Sequence, residues 1–183
     1  MKKTVIIALM AVVLSASAAI AMSVPMSESM TKLVSARQID CWVEGTVFGD
    51  MILGARGSIQ FIYIDKELSD AIAKENSLAP WIDDLNQYFG SFDTKKRAMF
   101  VAQIEANKPW TLSVGELHIG GYSVTKHDIM QTSWKNPFDG DGAINSGEKW
   151  QFAFTVPRSE LKGGKEEITV GYGTDLVKWK APK

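Results

Sequence analysis

Trp150-Gln151-Phe152-Ala153-Phe154-Thr155-Val156 sets Trp150, Phe152, Phe154 and Val156 at every second position. Successive side chains of an extended chain point to opposite sides, so this period of two predicts a strand with one wholly apolar face. The same signature recurs on either side. Residues 58–64 (SIQFIYI) and 98–104 (AMFVAQI) are rich in β-branched and aromatic side chains, the composition of strands. Within 36–48, Ile39, Cys41 and Val43 alternate with Asp40, Trp42 and Glu44. Further strands are expected at 112–114, 117–119, 122–124, 168–172 and 176–179, with turns at Gly54, Gly57, Pro109 and Gly120-Gly121. Strands recurring with turn signals predict a mainly β fold, an antiparallel β-sandwich of the immunoglobulin-like kind.

One stretch breaks the period. After Asp65 or Ser69, Leu68, Ile72 and Leu78 adopt helical spacing. Pro80 then suits the first turn of a second helix, in which Trp81, Leu85, Tyr88 and Phe89 share a face and Gly90 marks the end. These residues, about 66–90, are expected to form a short two-helix insertion capping one end of the sandwich.

Residues 1–21 read as a secretory signal peptide. Lys2 and Lys3 supply the positive start, Val5 to Leu14 is uncharged and apolar, and Ala19-Ile20-Ala21 matches the small-x-small cleavage pattern. The apolar run is short against the roughly 20 residues that span a bilayer. No later stretch is long and apolar enough to span, so no transmembrane segment is expected once the signal is cleaved. The destination is periplasmic or secreted. Residues 22–35 (MSVPMSESMTKLVS) are polar and weakly patterned, as in a flexible lead-in. Met22, Met26 and Met30 recur there at four-residue spacing, with no histidine or cysteine nearby to complete a soft-metal site. Residues 36–183 form one domain.

The 162 residues after Ala21 hold 18 basic and 21 acidic side chains, a net charge of −3. Nothing in that balance suits nucleic acid. Cys41 is the sole cysteine, so no internal disulfide can form. Its apolar-alternating neighbourhood predicts a buried, inert thiol.

One segment carries a pattern that suits metal chemistry: Pro137-Phe138-Asp139-Gly140-Asp141-Gly142-Ala143-Ile144-Asn145-Ser146-Gly147-Glu148. It resembles the twelve-residue calcium loop of EF-hand and dockerin-type sites. In that register Asp139 and Asp141 take the third and fifth positions and Gly142 the sixth, where the family's backbone turns sharply. Ala143 offers its carbonyl at the seventh, Ile144 is the aliphatic at the eighth, Asn145 is ninth, and Glu148 takes the bidentate twelfth. The resemblance implies calcium held by Asp139, Asp141, Ala143, Asn145 and Glu148. The first position departs from the family, with Pro137 where it has aspartate, and the flanks read as strands. Asp, Asn and Gly also recur in plain polar turns.

Catalytic signatures are sparse. His118 and His127 do not form a ligand pair, and Asp83-Asp84 sit as neighbours on a helix, directed toward solvent. Neither G-x-S-x-G nor H-E-x-x-H occurs. Six tryptophans are spread along the chain; most belong to a core, but Trp134 before the polar loop and Trp110 after Pro109 are candidates for exposure, and an exposed indole suits stacking on sugar rings. The sequence therefore predicts an exported, non-enzymatic protein with a structural or interaction role, its partner a protein or glycan at the cell surface. A calcium-dependent small-ligand or carbohydrate-binding module is the alternative, and a hydrolase built from scattered acids is a third.

Overall fold

The computed structural model describes residues 26–48, 51–75, 78–132 and 141–182. The expected signal peptide, Trp134 and Asp139 lie outside the described residues. The fold is mainly β, and every strand pairing among the described residues is antiparallel. A five-stranded sheet has the order β1 (Gln38–Val43), β4 (Gly57–Ile64), β5 (Arg97–Ala106), β11 (Lys149–Pro157), β9 (Ile129–Thr132). A four-stranded sheet has the order β13 (Asp175–Trp179), β12 (Ile168–Tyr172), β7 (Leu117–Ile119), β8 (Tyr122–Ser123). Two smaller pairs join β10 (Asp141–Ile144) to β6 (Trp110–Ser113), and β2 (Thr46–Phe48) to β3 (Met51–Leu53).

The main core unites both larger sheets. Trp150, Phe152, Phe154 and Val156 all point into it, with Ile39, Cys41, Ile59, Phe61 and Phe100 from neighbouring strands and Leu117, Ile119, Ile168 and Val170 from the facing sheet. This is the sandwich-like arrangement the alternation predicts.

Three helices add a further layer, one that the two-sheet immunoglobulin sandwich does not include. They are α1 (Glu28–Ser35), α2 (Lys66–Glu75) and α3 (Pro80–Asn86). They do not cap one end of the sandwich; they lie on the outer face of the five-stranded sheet. There Met30, Val34, Leu68, Ile72, Ile82 and Leu85 pack on Ile62, Ile64, Met99, Val101 and Ala153 in a second core. Burying each large aliphatic side chain contributes about 1.5–3 kcal/mol, so the second core is a substantial part of the fold.

Part of the expected flexible lead-in is thus helical. Ser27 caps α1 by accepting a hydrogen bond from the Met30 amide at 3.2 Å, and Lys32 pairs with Glu28 one turn back. Met30 and Val34, four residues apart, put one stripe of the helix inside. Buried Arg37 ties the layers together. It donates to Asp65 through Nε and Nη2 (3.0 and 2.7 Å), to Glu67 (2.7 Å) and to the Leu33 carbonyl (3.0 Å). Asp65 also caps α2 by accepting from the Leu68 amide at 2.9 Å.

Among the described residues, the helices cover only half of the sheet's outer face. Register places Ile62, Val101 and Ala153 side by side under the helices. One step along the strands, the next row reads Asp40, Gln60, Gln103, Gln151, and the row beyond reads Trp42, Ser58, Glu105, Lys149. A single sheet face therefore changes from core to solvent between adjacent rows.

Candidate functional site

The loop of the expected calcium site is described from Asp141 onward. Asp141 to Ile144 form β10, paired residue for residue with Ser113 to Trp110. An extended strand rises about 3.3 Å per residue, so Asp141 and Asn145 stand roughly 13 Å apart. The Asp141 carboxylate accepts a hydrogen bond from Ser113 Oγ at 2.7 Å and pairs with Lys126 at 3.1 Å. Bonding to Ser113, then to Lys126, holds its carboxyl below the usual aspartate value.

At the other end of β10, Glu148 closes a four-residue turn. Its carboxylate accepts from the Asn145 amide (2.8 Å) and the Asn145 side chain (3.2 Å), and its own amide donates to the Asn145 carbonyl at 3.0 Å. These bonds from Asn145 lower the Glu148 carboxyl's pKa. Gly147, at φ +82°, supplies the left-handed step of the turn. Asp141 and Glu148 are thus not brought together. Ala143 is an exposed strand residue opposite Thr111. Among the described residues no three His, Cys, Asp or Glu side chains form a group that could hold a metal ion.

Ile144 and Gly142, the eighth and sixth residues of the calcium register, both have packing roles in the fold. Ile144 is fully buried in the main core as the inward residue of β10. Gly142 lies beneath Trp150, where an added Cβ would stand 2.8 Å from the ring carbon Cη2.

The other expected candidates are dispersed. His118 shares a 3.1 Å hydrogen bond with Ser123, and His127 is exposed. Asp84 is exposed, but Asp83 is half-buried, against the expectation that both face solvent. Burial, then the neighbouring Asp84, raises the Asp83 carboxyl's pKa. Cys41 is buried, donates to the Asp175 carbonyl at 3.0 Å, and has its pKa pushed up to about 11, chiefly by burial. Trp110 is buried and packs on Tyr172.

A buried polar cluster joins the two sheets around Asp128. The carboxylate accepts from the Thr125 amide (2.8 Å), Thr125 Oγ1 (2.7 Å), Tyr122 Oη (2.8 Å) and Arg97, which also donates to Thr155. Burial alone would raise the Asp128 pKa; the bonds from Thr125, Tyr122 and Arg97 outweigh it and hold the carboxyl below its usual value. With so many donors turned inward on one carboxylate, the cluster works as a brace.

The sheet face left open among the described residues carries hydrogen-bonded rows of polar side chains. Gln38 and Gln60 both donate to Asp40 (2.8 and 3.3 Å), and Gln151 donates to Gln103 at 2.7 Å. In the next row Lys149 pairs with Glu105 at 2.8 Å. Trp42 stands beside them, 39% exposed. Alternation against Ile39, Cys41 and Val43 had put Trp42 on the polar side of its strand, and that was the signal for its exposure. No family model, curated protein or solved structure matches the chain.

Proposed function

We propose that the chain is exported and that the part following Ala21 is a non-enzymatic, β-sandwich-like binding protein of the periplasm or cell surface. The leading residues support export through their charge, apolar run and Ala19-Ile20-Ala21. No helix among the described residues is long and apolar enough to cross a membrane. The observation that carries the binding role is the open half of the five-stranded sheet, two rows of mostly polar side chains aligned across four strands. Enclosed clefts suit small substrates. An open face backed directly by core strands suits an extended or large partner, and needs no rearrangement to receive it.

A calcium ion on Asp141 would have to compete with Lys126 for its carboxylate. Production of the full chain in a bacterial host, followed by N-terminal sequencing of the extracytoplasmic fraction, tests export. A mature terminus at Met22 is expected, and Ala21→Arg is expected to block processing. Retention of the unprocessed chain in the cytoplasm would refute it.

A further inference from the structure

We propose that the open half-face binds a neutral polysaccharide, with Trp42 as the stacking ring and Asp40, Gln60, Gln103 and Gln151 as the hydrogen-bonding row. This rests on the binding role above and gives it a ligand class. The row crosses four neighbouring strands in direct register. With strands about 4.8 Å apart, it forms a straight track roughly 14 Å long. A track of that kind fits an extended chain lying across the strands.

The chemistry of the row matches sugar hydroxyls. A hydroxyl donates and accepts at once, and so does a side-chain amide, which carries two donors and an acceptor oxygen. The bonds from Gln38 and Gln60 to Asp40, and from Gln151 to Gln103, use part of that capacity and fix the side chains in place. Each amide keeps further donor or acceptor positions. Orientation before binding lowers the entropy lost on binding.

Charge narrows the ligand. Glu105 and Lys149 neutralise each other, which leaves Asp40 as the one uncompensated charge of the two rows. A polyanion would meet Asp40 and Glu105, and a polycation would gain a single carboxylate already engaged by two amides. A neutral, hydroxyl-rich chain meets no such mismatch. A protein partner would call for an apolar centre with several large anchors, whereas the two rows offer one, Trp42. Its exposed ring lies next to the amide row, where the apolar side of a sugar can stack while its hydroxyls reach Gln60 and Gln103.

The test uses the full chain, as processed by the cell that makes it. Retention is measured on cellulose, xylan, chitin and starch, with polygalacturonate and DNA as polyanions, in calcium and in chelator. Binding to at least one neutral polysaccharide is expected. Trp42→Ala is expected to weaken it about tenfold or more, and Gln103→Ala by about three- to tenfold. Leu176→Ala, an exposed apolar change on β13, should leave it unaltered. Melting temperature and circular dichroism confirm that each variant is folded. Failure of the folded chain to bind any neutral polysaccharide overturns the proposal. So does retention on polyanions alone, or binding indifferent to both Trp42→Ala and Gln103→Ala. A photo-crosslinker placed at position 103 separates the two failures. If no glycan binds but the probe traps an envelope protein in cells, the ligand class falls and the binding role stands. If nothing is trapped either, both fall.

Discussion

Single residues here are held by neighbours that sequence spacing does not reveal. Gly142 is the sharpest case, since the calcium register assigns it to a backbone turn and the fold places it under Trp150. Gly142→Ala is expected to cost about 1–3 kcal/mol by overpacking. The cost should shrink in a Trp150→Phe background, which removes the ring atoms nearest the new methyl. Equal losses in both backgrounds, read from denaturant unfolding, would mean that backbone conformation is the cause instead. Asp128 gives a second test. Its pKa is lower in the folded protein than its ordinary 3.8, so its stabilising contribution is complete above that value and disappears as pH falls through the lower folded value. Asp128→Asn is expected to cost about 2–3 kcal/mol at neutral pH, below the ~3–5 typical of a fully buried pair because Arg97 is partly exposed. The variant should also flatten the acid limb of a melting-temperature profile; an unchanged limb would show that other carboxylates set it. The strict alternation of its strand carries the signal for Trp42, although Trp110 and Trp134 were the tryptophans expected to be exposed. The burial of Asp83 has no such signal, because it depends on what packs against α3.

At the scale of elements, legibility follows the number of covered faces. Strand β11 alternates, and its inward face was plain from the sequence. The continuous apolar runs Phe61–Ile64 and Ala98–Ala102 record strands buried on both sides, and they stop at Gln60 and Gln103, where the helical cover ends. Helix α1 escaped notice because only Met30, Val34 and the half-buried Leu33 turn inward from an otherwise polar stretch, and none of these positions has meaning without α2 and the sheet beneath. Met30→Ala is expected to cost about 2–4 kcal/mol and to speed amide exchange across α1. A cost near zero would return this segment to the status of a tail. The turn after β10 bears on metal. Glu148→Gln should lower the melting temperature equally in calcium and in chelator, because Glu148 closes a turn on Asn145 at the end of β10 away from Asp141. A loss confined to the calcium sample would instead support a coiled, metal-bound loop.

On the scale of the whole molecule, the five-stranded sheet is shared by two cores and one open surface. Mainly β, antiparallel and sandwich-like were legible, since they need only period-two patterning and turns. The third layer was not, because the insertion's amphipathic helices could have docked on an end or on a face, and sequence spacing does not choose between them. Strand β1 connects the layers most directly. Its adjacent residues Cys41 and Trp42 point to opposite sides, one sealed against the Asp175 carbonyl of β13 and the other open to solvent. A thiol with a pKa near 11 and no solvent access reacts with an alkylating reagent at neutral pH only when the seam between β1 and β13 parts. The cysteine is therefore a built-in clock for the opening of that seam, read as the rate at which the folded protein is alkylated. A ligand on the outside of β1 would slow that clock without touching it.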